Sequence, residues 1–461
     1  MTRSAVLIAN RGEIALRIIR ACRRLGLRSI CAFSEADRGS AYLDLADASI
    51  CIGPAAAAKS YLNVPALLAA AKTMGADMIH PGYGFLSENA GFADAVEQAG
   101  LTLIGPSGDV MRRMGDKVAA KTAMIQSGVP CVPGPDTVLP DDIEAIKAIA
   151  DDIGYPVILK AAGGGGGRGM RIVKSAEALD DAFMLTKQEA QRFFGNPDIY
   201  MEKFLQKPRH VEIQVISDAH GTALWLGDRD CSMQRRHQKM IEEAPAPGID
   251  RALIARIGAR CAASCRDIGY VGAGTFEFLF EDGEFFFIEM NTRIQVEHPV
   301  TEMVTGLDIV AMQIDVARGG KIDIAQSDVR CDGHAFECRI NAEDPASFAP
   351  CPGPVDVMHV PGGPGVRVDT HIVSGSVVSA SYDSMVAKVI THGATRTEAL
   401  ARARAALSEM RVTGVSTNVS LHQELLDDPD FARGGVSIHH LEHWLERRVV
   451  AQAADTEDTH A

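Results

Sequence analysis

The chain has 461 residues, 46% hydrophobic and 23% charged, with 60 acidic against 46 basic side chains and a formal net charge of −14. That length suits about three domains, and the acidic balance excludes non-specific adhesion to nucleic acid or an anionic membrane surface. No apolar run reaches the roughly 18 residues that span a bilayer; residues 1–9 are too short for a secretory signal; ten scattered cysteines without a C-x-x-C pair point to a reducing, cytoplasmic setting.

In chain order, residues 5–9 read as an apolar strand, Asn10-Arg11-Gly12-Glu13 as a turn, and Ile14, Ile18, Ile19 and Leu25 as a helical stripe. Further strands are expected over 27–33, 78–80 and 102–104, each ending in turn residues as parallel β-α-β units do. The run from His80 to Asn89 follows a strand end, where α/β proteins place ligands. Residues 1–104 therefore form an N-terminal doubly wound α/β domain, and 105–131 a helical connector carrying Lys117. Residues 132–204 form a compact unit, 205–447 a strand-rich C-terminal α+β domain, and 448–461 a frayed tail.

The compact unit carries five consecutive glycines, residues 163–167, between strand-like runs that end in Lys160 and begin at Met170. A loop without Cβ atoms can close over a polyphosphate and present bare N–H donors, with Lys160 as a point charge. An inert flexible loop and a dinucleotide fingerprint are the competing readings. The second needs a helix to start inside the motif, and the Gly-Lys-Ser/Thr ending of a Walker loop is absent.

Further on, two phenylalanine-rich alternating runs flank Glu281-Asp282-Gly283-Glu284, a hairpin turn. If Asp282-Gly283-Glu284 is a three-residue loop, Glu277 pairs across from Glu289, with Asn291 on the same face. Apposed carboxylates call for a bridging cation, and oxygen ligands suit magnesium or manganese beside ATP phosphates; a solvated polar face is the alternative. Arg293 and Glu297 follow, either as a surface ion pair or as a device that holds a small anion and takes its proton. The polar run 228–239 follows an apolar strand, 222–226, and so is expected at a strand end. Its His237 and Lys239 suit phosphate or bicarbonate, against the alternative of a solvated loop. Cys231 lies in a basic neighbourhood expected to lower its thiol pKa, although it reads as structural.

These segments together resemble the biotin carboxylases, the ATP-grasp subunits of biotin-dependent carboxylases, from Ile8 to about Leu445. The resemblance rests on 163–170, Cys231–Lys239, Glu289–Pro299 and Arg339-Ile340-Asn341-Ala342-Glu343-Asp344. It implies a three-domain ATP-grasp fold with a mobile lid, and a ligase that carboxylates biotin from ATP and bicarbonate via carboxyphosphate.

Carried over residue by residue, the resemblance implies that Lys117, Lys160, Gly166 and Gly167 handle ATP phosphates. Glu202, Lys203, Phe204 and Leu205 meet the adenine, and His210, Gln234 and His237 the nucleotide. Glu277, Glu289 and Asn291 hold two Mg²⁺ or Mn²⁺ ions. Lys239, Arg293, Gln295 and Val296 bind bicarbonate, Glu297 is the base, and Arg339 with Tyr83 receives biotin. The chain lacks the Met-Lys-Met motif, so a separate biotin carboxyl carrier protein and carboxyltransferase subunits are expected, as in acetyl-CoA carboxylase of fatty acid biosynthesis or a related acyl-CoA or pyruvate carboxylase. The other readings are a different ATP-grasp ligase and a non-catalytic ATP-binding paralogue. A homodimer is expected to be less secure than the chemistry, because Arg20, Arg24 and Arg367 stand where they could repel.

Overall fold

The computed structural model describes residues 4–135, 137–162 and 169–448, with backbone alone at 117 and 118. It divides into two compact bodies: a larger one of residues up to 116, 209–277 and from 289 onward, and a smaller one of 117–208 and 278–288. The glycines 163–167, Gly166 and Gly167 among them, and the Lys117 side chain lie outside the described residues, as does the tail from 449.

The larger body opens on a five-stranded parallel sheet in the order β3-β2-β1-β4-β5. Its strands are β1 (Ala5–Ile8), β2 (Arg28–Ser34), β3 (Ala48–Gly53), β4 (Met78–His80) and β5 (Thr102–Leu103). β1 is buried at every position, as a strand covered on both faces must be, which explains its unbroken apolar run. The strand order reverses between β1 and β4, and the loops leaving those two strands form the crevice expected of such a sheet. Asn10, after β1, donates from Nδ2 to the carbonyls of Pro81 and Tyr83, both at 2.7 Å. Gly82 permits this approach: its φ is +64°, and an added Cβ would sit 2.9 Å from Asn10 Nδ2.

In the smaller body, β6 (Val157–Ala161) pairs antiparallel with β7 (Met170–Val173) on one side and β8 (Ile199–Lys203) on the other. Val157, Leu159 and Ala161 pack inward with helices Ile143–Ile153 and Leu179–Phe194, so period-two alternation turns Ile158 and Lys160 to the opposite face. Phe278, Phe285 and Phe287 stack edge to face, with centroids 5.5 and 6.0 Å apart about Phe278.

A second sheet has eight strands in the order β13-β12-β9-β10-β11-β14-β19-β17. These are β9 (Arg209–Ser217), β10 (Ala223–Arg235), β11 (Gln238–Ala244), β12 (Gly272–Glu281), β13 (Glu284–Asn291) and β14 (His334–Asn341). Two short ladders follow: β15 (Gly353–Pro354) pairs with β18 (Val377–Val378), and β16 (Val357–His359) with β20 (Arg411–Thr413). β17 (Val366–Thr370) and β19 (Met385–Gly393) complete the large sheet.

Three expectations change. The polar run 228–239 is not at a strand end: β10 continues through it to Arg235, and the turn is Arg236-His237, both at positive φ. Buried Asp228, Arg229 and Asp230 are tolerated there because Arg251, Glu212 and Arg209 pair with them. The acidic hairpin turns through two residues, Asp282 and Gly283, at φ 51° and 83°, not three. The direct apposition of Glu277 and Glu289, which rested on a three-residue loop, is withdrawn. Finally, the arginines near the expected dimer surface do not face one another unpaired. Arg17 and Arg24 bind Asp308, Arg367 binds Glu302 and Asp369, each at 2.5–2.8 Å, and Arg20 lies 3.7 Å from Asp369.

Candidate active site

The centre of the site is an ion-pair knot built on one region of the large sheet. Lys239, near the start of β11, places Nζ 2.7 Å from Glu212 of β9, 3.0 Å from Glu277 of β12 and 2.6 Å from Glu297. Arg339 of β14 binds Glu297 through Nη2 at 2.9 Å and Glu242 of β11 through Nε at 2.6 Å. Glu297 is delivered by irregular chain that ends as the N-cap of helix His298–Thr305, with Pro299 in its first turn. Burial alone would raise its pKa, but Lys239, Arg339 and Arg229 hold the Glu297 carboxyl well below the ordinary carboxylate range. Burial likewise works against the Lys239 ammonium, yet Glu212, Glu277 and Glu297 raise it well above its usual value.

Arg293 is not paired with Glu297. It donates to Glu88 at 2.8 Å, to Asn291 Oδ1 at 2.7 Å, to Gln295 Oε1 at 2.7 Å and to the Ile294 carbonyl. Gln295 Nε2 then bridges Glu277 Oε1 at 2.8 Å and Asn291 Oδ1 at 3.0 Å. Asn291 reaches Glu289 Oε1 at 3.3 Å. Glu277 is buried and Glu289 exposed. The structure therefore joins these acids through Gln295 and Asn291 rather than face to face. His210 Nε2 lies 3.0 Å from Glu277, and His210, Glu212 and Glu277 together could close on one ion.

Val296 presents its carbonyl to Lys388 Nζ at 2.7 Å. Lys388 is fully buried on β19 and lies 3.2 Å from Glu13, whose carboxylate also accepts the Tyr83 hydroxyl. Tyr83 thus stands at the crevice of the parallel sheet, its phenol kept neutral by burial and by Glu13. Gln234 is buried on β10, whereas His237 is exposed at the hairpin tip. Cys231 corrects its expectation: burial, reinforced by Glu212, pushes its thiol well above the usual range, despite Lys239 nearby.

In the smaller body, Lys160 and Glu202, both half-buried, form an ion pair on the face of the three-stranded sheet opposite its packed side. Lys203 Nζ donates to the carbonyls of Gly154 at 2.7 Å and Tyr155 at 3.2 Å, the Phe204 amide to Pro156 O at 3.0 Å, and Leu205 is buried. Sequence reasoning passed over Glu13, Glu88, Glu212, Arg229, Glu242, Glu337 and Lys388. A lysine inside the apolar run of β19 was the one visible signal.

Residues 2–111 match the family described as biotin carboxylase, N-terminal domain, and 337–443 match the biotin carboxylase C-terminal domain. Residues 116–325 match the ATP-binding domain of the carbamoyl-phosphate synthase L chain. A biotin carboxylase of Pseudomonas aeruginosa is 60% identical over 440 residues, covering 95% of this chain and 98% of that one. The chain belongs to the biotin carboxylase family. It is an ATP-dependent ligase that forms a C–N bond. Among solved structures, a biotin carboxylase of Campylobacter jejuni in a β,γ-ATP complex is 46% identical, covers 96% of this chain and 99% of that chain, and gives a TM-score of 0.89. The biotin carboxylase domain dimer of Hydrogenobacter thermophilus 2-oxoglutarate carboxylase, with MgADP, ADP and bicarbonate, is 43% identical, with coverage of 96% and 98% and a TM-score of 0.86.

Proposed function

We propose that this biotin carboxylase deprotonates bicarbonate with Glu297, phosphorylates it from ATP to carboxyphosphate, and transfers the carboxyl group to biotin held by Arg339. The observation that carries this reading is the shared placement of Glu297, between Lys239 and Arg339. Glu297 is ionised, so it can accept a proton, but its cation partners suppress its basicity. Bicarbonate drawn to Lys239 and Arg293 takes a share of that positive charge, and Glu297 becomes a stronger base when the substrate is in place. Arg339, whose Nε is held by Glu242, offers its guanidinium to the ureido oxygen and stabilises the enolate formed when the ring nitrogen loses its proton. Tyr83, held by Glu13, frames that side.

For the nucleotide, Lys117, Lys160, Gly166 and Gly167 are assigned to the phosphates, Glu202, Lys203, Phe204 and Leu205 to the base, and His210, Gln234 and His237 to further contacts. Glu277, Glu289 and Asn291 fit a hard divalent ion: all offer oxygen, and exposed Glu289 keeps lone pairs free beside the one bond, from Asn291, that it accepts among the described residues. Magnesium or manganese there would neutralise phosphate charge. The biotin is proposed to arrive on a separate carrier protein, with a carboxyltransferase choosing the final acceptor, as in acetyl-CoA carboxylase or a related enzyme. The ten cysteines are free, which suits a reducing, cytoplasmic setting, and no described helix is long and apolar enough to cross a membrane.

The test is ATP hydrolysis by the purified chain with free biotin and bicarbonate. Phosphate release should need bicarbonate and should be accompanied by carboxybiotin. Turnover that ignores both additions would sink the proposal.

A further inference from the structure

Behind Arg339, two carboxyl groups face each other. Glu242 of β11 and Glu337 of β14 are direct partners in the antiparallel register, so both side chains leave the same face of the sheet, with Cβ atoms about 4.5–5.5 Å apart. Both are fully buried. Glu242 Oε1 accepts from Arg339 Nε, whereas Glu242 Oε2 and both Glu337 oxygens have no hydrogen-bond partner among the described residues.

The surroundings do not neutralise both charges. Glu242 faces Arg339, Glu297 and Lys239; Glu337 faces Lys388, Arg339 and Glu297. Lys388, on β19, is already engaged by Glu13 and the Val296 carbonyl, and Asp369 of β17 lies opposite it in the ladder. His298, at the head of the neighbouring helix, is held neutral by burial and by Lys388. Tyr83 is neutral as well. Buried carboxylates therefore outnumber buried cations around this pair. Two ionised carboxylates in direct apposition cannot both persist in such an interior, and one proton between them removes the repulsion while giving the orphaned oxygens a partner.

We propose that Glu337 carries that proton and donates it to Glu242, and that the pair acts as a positioning device that keeps Arg339 aimed at biotin. The proposal rests on the role given to Arg339 above. The proton belongs on Glu337 because the guanidinium stabilises charge on Glu242, while no described residue donates to Glu337. Burial in addition pushes Glu242 up to about 7 and Glu337 well above the carboxylate range, and the two titrate as one coupled unit. Both pKa values are raised, so the shared proton is kept at low pH and lost as pH rises. Its loss sets two charges against each other behind Arg339 and disturbs the guanidinium. Coupling of ATP cleavage to biotin carboxylation should then decline on the alkaline side, while bicarbonate-dependent phosphate release declines less.

Infrared difference spectroscopy of the unaltered chain across a pH titration should show the C=O band of a neutral buried carboxyl group disappearing as pH rises. Kinetics supply the second readout. Glu337→Ala should lower carboxybiotin formed per phosphate released by about fivefold, and Glu337→Gln, a neutral donor of the same shape, should recover most of it. The Glu337→Gln ratio should also lose the alkaline decline, which a merely structural role would leave in place. Absence of the neutral-carboxyl band in the parent overturns the proposal even if no variant folds, and so does an unchanged alkaline decline in Glu337→Gln. A coupling ratio unaffected by Arg339→Ala would instead remove the role given to Arg339 and leave the band untouched.

Discussion

Glu297 and Arg339 touch each other, yet their loss should be felt at different steps. Glu297→Ala removes the base before carboxyphosphate exists, so phosphate release and carboxybiotin should fall together, by about 10²–10⁴-fold. Arg339→Ala leaves Glu297 and Lys239 in place; carboxyphosphate still forms slowly and is lost to water. Carboxybiotin per phosphate should drop at least about tenfold in that variant. Side-by-side measurement of the two products decides it, and equal ratios in Arg339→Ala and the parent would remove Arg339 from the biotin step. Glu289 gives a second residue-scale expectation. It is exposed and bonded only by Asn291 among the contacts above, so Glu289→Gln should fold normally and abolish ATP cleavage at ordinary magnesium. Activity within about twofold of the parent across a magnesium titration would take Glu289 out of the metal site.

At the scale of elements, the hairpin of β10 and β11 shows where sequence reading works and where it stops. Pattern singled out His237 and Lys239 and the resemblance added Gln234, but pattern alone ended the strand at 226 because Asp228, Arg229 and Asp230 look solvated. They are buried in β10, each matched to a charge from β9 or from the helix Arg251–Asp267. Binary patterning has no term for partners so distant in sequence. Glu242 and Glu337 stayed invisible for the same reason: single ionisable residues inside strands, meaningful only once register sets them on one face. By contrast β1, an unbroken apolar run, carries a local signature and was legible; the five-glycine segment lies outside the described residues. Cys231 tests the corrected view of β10. Buried, with its thiol raised, it should be labelled by an alkylating reagent at least about a hundredfold more slowly in the native chain than in denaturant. Rapid native labelling, mapped by mass spectrometry, would contradict a closed strand.

Across the whole molecule, the larger body keeps several histidines neutral in its interior, and that sets its response to acid. His80 accepts the Gly82 amide at Nδ1, 3.0 Å away, and burial lowers its pKa to about 3. His371 is lowered by burial and Arg11 to about 3, His422 by burial to about 4, and His298 lies well below its usual value. Unfolded, each ring would titrate near 6.5. Below that pH the unfolded chain takes up protons that the folded chain refuses. Stability is therefore fully present above about pH 6.5 and falls by about 1.4 kcal/mol per pH unit for each such histidine below it. Glu242 and Glu337 act in the opposite sense, because their raised pKa values let the folded chain hold protons that the unfolded chain releases, but the histidines outnumber them. The unfolding temperature followed by calorimetry should accordingly drop as pH is lowered from about 7 to about 5. His422→Gln keeps a donor toward the Arg339 carbonyl, which His422 now reaches at 2.7 Å, and should flatten that slope by the share of one proton. A level unfolding temperature over this range would mean that these rings already carry protons in the folded chain, and that the interior around β4, β14 and β17 is wetter than its packing indicates.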